Sequence, residues 1–108
     1  MQGWLYMIAS ILFEVAGTTS MKLSEGLTRL YPTLAIFVCY GISFAFFAVA
    51  VKRIELSTAY AVWSGLGAAL ITLIGILYFK DSAGVLKIAS IVLIVIGVVG
   101  LNVSGSHA

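Results

Sequence analysis

Four long apolar segments, separated by short clusters of charged residues, constrain what this chain of 108 residues can fold into. The segments run over residues 3–22, 32–51, 57–79 and 85–104. Each has about the 20 residues that an α-helix needs to cross the roughly 30 Å hydrocarbon core of a bilayer. We therefore expect an all-α membrane protein whose four transmembrane helices form a single domain over residues 1–108.

The composition supports a membrane protein over a soluble one. Hydrophobic residues make up 62% of the chain and charged residues only 9%, whereas a soluble domain has roughly 25% charged residues. A transmembrane β-barrel would show alternating segments of about ten residues, and the segments here are continuously apolar. A cleaved signal peptide is disfavoured because no Lys or Arg precedes the first segment and an acidic residue lies within it.

The first segment carries one charged residue near its middle, Glu14. An ionisable side chain at mid-membrane is costly and therefore usually functional. Residues three, four and seven positions apart share a helix face, so Glu14 shares its face with Ser10, Gly17 and Thr18. These small residues would leave room for a ligand beside the carboxylate. The alternative is that they only allow neighbouring helices to pack closely.

Two pairs of aromatic residues recur at helical spacing. Tyr60 and Trp63 lie on one stripe of the third segment, and Tyr40 and Phe44 form an i, i+4 pair on the second. Aromatic faces attract cations, so next to a carboxylate they would form a site for a flat, lipophilic cation. The alternative is a packing or interfacial role, although Trp63 lies about seven residues inside its segment, deeper than a headgroup belt reaches.

Polar residues at the segment ends suggest helix caps. Ser57 or Thr58 is expected to cap the third helix, and Asp81 or Ser82 the fourth, because their side-chain oxygens can accept hydrogen bonds from the first free backbone N–H groups.

The sequence offers little for other classes of function. It has one cysteine, Cys39, in an apolar segment and no histidine within a membrane segment, so we expect no enzyme, metal site or cofactor. The basic residues flank membrane segments, which makes them topological anchors and not a nucleic-acid surface. A cation channel stays an alternative, since acidic side chains select cations. A purely structural subunit would leave Glu14 unexplained.

Two stretches carry a resemblance to a known family: EVAGTTSMKLSEGLTRLYP after the apolar start and TAYAVWSGLGAAL in the third segment. With them the chain resembles the small multidrug resistance family over nearly its full length, and most of all the EmrE-type multidrug branch. GTT after the glutamate and WSG in the third segment are similar to that branch. The guanidinium-exporting branch tends to carry a tryptophan shortly after its glutamate and WTG later.

The resemblance implies a proton-coupled antiporter that exports lipophilic and quaternary ammonium cations. It implies an antiparallel dimer of identical or paired homologous subunits, embedded in lipid in the bacterial inner (cytoplasmic) membrane. By the same resemblance, protons and substrate share Glu14, Tyr60 and Trp63 line that site, and Tyr40 and Phe44 lie nearby. A guanidinium or polyamine exporter of the same family, or one subunit of a paired pump, is the alternative.

The resemblance also assigns residues to conformational and assembly roles. Gly65 and Gly67 would form a bend in the third helix. Family members of this branch pack the fourth helices of the dimer through paired glycines seven residues apart, and the matching positions here are Ser90 and Gly97. Serine departs from that pattern but is small enough to keep the contact.

The distribution of basic residues predicts insertion in both orientations. With four spans, the first and third links share one side of the membrane and the second link lies on the other. The first and third links carry four basic residues, Lys22, Arg29, Lys80 and Lys87. The second link carries two, Lys52 and Arg53. By the positive-inside rule, four basic residues against two favour one orientation only weakly.

We predict that a tag on either terminus is accessible from both sides of the membrane in comparable amounts, and that two arginines added to one link trap one orientation. Uniform orientation of the unmodified chain would instead favour an oppositely inserted partner.

Overall fold

A computed structural model describes residues 2–105 of the chain. Within this range the chain forms four α-helices: α1 (Gln2–Leu23), α2 (Leu30–Ala50), α3 (Leu56–Leu77) and α4 (Val85–Gly105). All four are long and apolar enough to cross a membrane. The prediction of an all-helical protein with four membrane-spanning helices is confirmed, and the chain is a multi-pass membrane protein. The described residues form two compact units that divide after Arg53.

In the first unit α1 packs against α2, and a pair of serines joins the two helices. The Ser10 hydroxyl donates to the Ser43 carbonyl oxygen at 2.8 Å, and the Ser43 hydroxyl donates to the Ser10 carbonyl oxygen at 2.7 Å. Both serines are fully buried. Hydrogen bonds between membrane helices contribute about 0.6 to 2 kcal/mol each, so this reciprocal pair holds the two helices in register.

Aromatic rings fill the α1–α2 contact towards the N-terminal end of α1. The Phe46 ring lies 5.8 Å from that of Tyr6 and 5.9 Å from that of Phe13, measured between centroids. A cavity of about 340 Å³ adjoins these rings, and it is lined by Gln2, Leu5, Tyr6, Ala9 and Phe46.

The link between α1 and α2 is organised by the buried Ser24. Its hydroxyl donates to the Met21 carbonyl oxygen at 2.7 Å and accepts the Leu27 N–H at 3.0 Å. Gly26 has a φ of +76°, a left-handed conformation that glycine adopts without steric cost. Pro32 falls in the first turn of α2, where a proline forfeits no helical hydrogen bond.

In the second unit α3 packs against α4, and Gly65 makes the close approach possible. A Cβ atom at Gly65 would lie 2.5 Å from Val98 Cγ2 and 3.2 Å from Ile94 Cγ2. The missing side chain therefore lets the two apolar residues of α4 reach the backbone of α3. The helix runs unbroken through Gly65 and Gly67, and the bend assigned to these glycines stays a prediction.

The predicted caps of α3 and α4 are wrong. Helix α3 begins at Leu56 with Glu55 as its N-cap, so Ser57 and Thr58 lie within the first turn. Before α4, Lys80 adopts a left-handed φ of 59°, and the Asp81 backbone N–H turns back to the Gly75 carbonyl oxygen at 2.8 Å.

Asp81 therefore closes the end of α3 and does not start α4, which begins only at Val85. The Ser82 carbonyl oxygen accepts a hydrogen bond from Lys87 Nζ at 2.9 Å, so Ser82 contributes its backbone and not a side-chain cap.

Candidate functional site

Glu14 lies on the buried side of α1, well away from both ends of the helix. Met7, Ser10 and Ile11, which are seven, four and three residues before it, are among the most buried of the described residues. Leu5, Ile8 and Leu12, on the other side of the helix, are exposed. Glu14 itself is half-buried. The helical period of 3.6 residues thus directs the carboxylate towards the protein and the side chains of Leu5, Ile8 and Leu12 away from it.

Two hydroxyl groups connect Glu14 to the neighbouring helix. The Thr18 hydroxyl donates to Glu14 Oε2 at 2.8 Å, and Thr18 Oγ1 lies 2.6 Å from the Tyr40 hydroxyl oxygen. A threonine hydroxyl has a single hydrogen. Because Thr18 donates it to the carboxylate, Tyr40 must donate to Thr18. We call Glu14, Thr18 and Tyr40 the Glu14 triad.

Gly17 provides the space in which the Tyr40 ring reaches Thr18. A Cβ atom at Gly17 would lie 2.6 Å from both Cδ1 and Cε1 of Tyr40, and 3.4 Å from Cβ of Cys39. The ring therefore packs directly on the backbone of α1. Phe44 packs on the same ring, with centroids 6.2 Å apart and planes at 29°. The rest of the Phe44 side chain is largely exposed.

Tyr60 and Trp63 lie in the other unit, on α3. Their ring centroids are 6.0 Å apart and the planes are tilted by 33°. Tyr60 is exposed and Trp63 is half-buried. The pair forms an aromatic surface one turn long, and its place beside Glu14 stays a prediction.

The structure places some of the predicted site residues in contact with one another and others apart. The structure brings together Glu14, Thr18, Tyr40, Gly17 and Phe44, through the contacts given above. Ser10 shares the helix face of Glu14 but is engaged with Ser43. On α4, Ser90 and Gly97 are exposed, and a Cβ atom at Gly97 would have no neighbour within 4 Å among the described residues. Their role in packing between subunits stays a prediction.

Sequence reasoning missed Ser43 and the contact between Tyr40 and Thr18. Ser43 has a recognisable signal, because it is a hydroxyl residue in an apolar helix, three positions after Tyr40 and so on its face. No such signal marks the bond from Tyr40 to Thr18, which are 22 residues apart.

The arrangement suits reversible binding of a proton or an organic cation. It places one carboxylate, one hydroxyl donor on that carboxylate and an aromatic ring within a few ångströms of each other. Among residues 2–105 no group of three His, Cys, Asp or Glu side chains is close enough to hold a metal ion.

Comparison with known proteins gives consistent matches along the chain. The family model described as "Small Multidrug Resistance protein" matches residues 2–94. The quaternary ammonium compound-resistance protein QacG of Staphylococcus sp. (strain ST94) is 47% identical over 105 residues, which cover 96% of this chain and 98% of QacG.

Two proteins of Bacillus subtilis (strain 168) are also similar. The multidrug resistance protein EbrB is 41% identical over 108 residues, which cover all of this chain and 92% of EbrB. An uncharacterized membrane protein, YvaE, is 52% identical over 99 residues, which cover 92% of this chain and 83% of YvaE.

We predict that Gly17→Ala displaces the Tyr40 ring. The added methyl group overlaps two ring carbons, and overpacking of this kind costs about 1 to 3 kcal/mol. Thermal unfolding in detergent should show lower stability, and binding of tetraphenylphosphonium should weaken. Gly41→Ala is the matched control, because a Cβ atom there meets nothing within 4 Å among the described residues. Equal stability and equal tetraphenylphosphonium binding of the two variants would contradict the packing of Tyr40 on Gly17.

Proposed function

Because the chain belongs to the small multidrug resistance family, we propose that it is a multidrug exporter that exchanges protons for lipophilic and quaternary ammonium cations. The observation that carries this proposal is the Glu14 carboxylate within a membrane-spanning helix, held by the Thr18 hydroxyl at 2.8 Å. Two relatives support the substrate class by name, since QacG is a quaternary ammonium compound-resistance protein and EbrB a multidrug resistance protein. The proposed activity is transport and not catalysis.

Competition for one carboxylate provides the coupling. A proton or a cation can neutralise Glu14, and in a low-dielectric surrounding a second positive charge is unfavourable once the first is bound. A cation therefore binds only after the proton has left, and a proton displaces the cation. When the site opens alternately to the two sides of the membrane, an inward proton gradient drives the cation outward.

Two copies of the chain, inserted in opposite orientations, would complete the transport site. Two Glu14 carboxylates would then face one chamber. The exposure of Ser90 and Gly97 on α4 supports this proposal, because such small residues let a second helix approach closely. A homologous subunit in place of the second copy would use the same contacts. We place this dimer in the bacterial inner membrane.

Aromatic rings would supply the preference for lipophilic cations. Tyr40 belongs to the Glu14 triad and Phe44 packs against its ring, and Tyr60 and Trp63 present a second pair of rings on α3. A ring face attracts a desolvated cation by about 0.5 to 2 kcal/mol. Such rings would accept ligands of different shape, because stacking does not require a fixed pattern of hydrogen bonds.

We predict that Glu14→Gln abolishes coupled transport but not folding, because glutamine keeps the size of the side chain and loses the charge. The variant should neither release protons when tetraphenylphosphonium is added nor transport it in liposomes with an imposed proton gradient. Glu25→Gln is the control, since it removes an exposed carboxylate that pairs with Arg29 at 3.2 Å in the first link. Wild-type transport rates in Glu14→Gln would exclude Glu14 as the coupling site.

We predict that Trp63→Ala weakens the binding of aromatic cations and leaves proton binding at Glu14 in place. Loss of a cation–π contact of about 0.5 to 2 kcal/mol corresponds to roughly a two- to thirtyfold loss of affinity. Trp4→Ala, which removes the other tryptophan, is the control. Binding of tetraphenylphosphonium and of guanidinium should be measured side by side. If wild type prefers guanidinium, the assignment to multidrug export is wrong.

A further inference from the structure

We propose that Thr18 and Tyr40 act as a hydrogen-bonded switch whose direction follows the protonation of Glu14, so that Tyr40 offers its oxygen to a cation only when Glu14 is charged. This proposal rests on the exchange of protons and cations at Glu14 described above. It assigns Thr18 as a positioning residue and Tyr40 as a residue that discriminates between the two states of the site.

The direction of the bonds in the charged state follows from the number of hydrogens. A charged carboxylate can only accept, and Thr18 has one hydrogen, which it donates to Glu14 Oε2 at 2.8 Å. The Tyr40 hydroxyl, 2.6 Å from Thr18 Oγ1, then donates to it. With its hydrogen committed, the Tyr40 oxygen keeps its lone pairs for a cation.

Protonation of Glu14 at Oε2 reverses both bonds. The proton comes from solution, and the carboxylic acid then donates to Thr18 Oγ1. Thr18 rotates its hydrogen to the Tyr40 oxygen, which becomes an acceptor. The Tyr40 hydrogen is released from Thr18 and points away from it, so that a positive end of the O–H dipole now faces an approaching cation. No heavy atom has to move, and no covalent bond other than the new O–H bond forms.

The packing around the triad keeps the heavy atoms in place during this reversal. The Tyr40 ring lies on the backbone at Gly17 and packs against Phe44. The reciprocal bonds between Ser10 and Ser43 hold α1 and α2 together on the same face. These contacts hold the Tyr40 ring beside Thr18, so in the proposed switch the hydrogen positions change and the heavy atoms do not.

Few other ionisable groups face the triad from the helix packed against α1. The titratable side chains of α2 are Tyr31, Cys39 and Tyr40; of these, Tyr40 is bonded to Thr18 and Cys39 lies near Gly17. On α1 itself, Tyr6 and Lys22 are each eight residues from Glu14, more than two helical turns away. The Tyr40 hydroxyl is therefore the group on α2 that is linked to the charge of Glu14.

Nuclear magnetic resonance on the full-length protein in lipid bilayers tests the switch directly. The ring carbon Cζ of tyrosine and the carboxyl carbon of glutamate are labelled with ¹³C, and the Tyr40 signal is identified by its loss in Tyr40→Phe. We expect the Tyr40 Cζ signal to move with pH at the same midpoint as the Glu14 carboxyl signal. A change of the Tyr40 hydroxyl from donor to acceptor alters the chemical shift of Cζ, whereas a merely structural role of Tyr40 would leave that chemical shift unchanged.

Substitutions at Thr18 separate the switch from general packing. Thr18→Val has nearly the same shape but no hydroxyl, and should abolish the pH response of Tyr40. Thr18→Ser keeps the hydroxyl and should preserve it. Thr19→Val is the matched control on the next residue, because among the described residues the buried Thr19 Oγ1 has no hydrogen-bond partner. This control should leave the Tyr40 response unchanged.

Cation binding provides a second measurement. Thr18→Val should change the pH dependence of tetraphenylphosphonium binding, because it removes the hydrogen bond that the charged Glu14 carboxylate accepts from Thr18. Thr18→Ser should restore the wild-type profile.

A Tyr40 signal that stays constant while Glu14 titrates, or that still responds in Thr18→Val, would overturn the switch and leave the exchange mechanism standing. The opposite failure is also distinguishable. If cation addition releases no protons from wild type, the exchange mechanism fails whatever the Tyr40 signal does.

Discussion

The cost of a charge inside a membrane is the constraint on which the rest of this structure depends. Glu14 is half-buried within a membrane-spanning helix, where a charged carboxylate is stabilised by hydrogen-bond donors from the protein. Thr18 supplies one donor, and Tyr40 supports Thr18 in turn. The hydrogen bonds that stabilise the carboxylate also place it near the Tyr40 ring, where in the proposed exchange an organic cation would replace the proton.

Glycine allows close contact between neighbouring helices in each of the two units. Gly17 admits the Tyr40 ring to the backbone of α1, and Gly65 admits Val98 to the backbone of α3. Between apolar helices in lipid, close contact and hydrogen bonds replace the hydrophobic effect as the main source of association. The absence of a side chain therefore matters at Gly17 and Gly65, whereas a Cβ atom at Gly41 would meet nothing within 4 Å among the described residues.

The order of events in the proposed exchange follows from hydrogen bonding and charge without any large rearrangement of the α1–α2 unit. The reciprocal serine pair holds α1 and α2 in register, so in the proposed switch a change at Glu14 alters the positions of hydrogens and the bound ligand. In the proposed dimer, movement of one subunit against the other would open the site alternately to the two sides of the membrane.

The sequence by itself determined the four membrane-spanning helices, because the length and continuity of apolar segments are local properties that the bilayer thickness selects directly. It also identified Glu14 and its helix face, since the helical period sets which residues lie together. Only the tertiary structure decided which hydroxyl groups meet. Ser10 and Ser43 are 33 residues apart, and Thr18 and Tyr40 are 22 apart, so no local pattern relates them. The caps predicted at Thr58 and Asp81 were wrong for a related reason. The start of α3 at Leu56 and the backbone conformation at Lys80 depend on how the chain turns between helices. A capping preference of about 1 kcal/mol is too weak to override that turn.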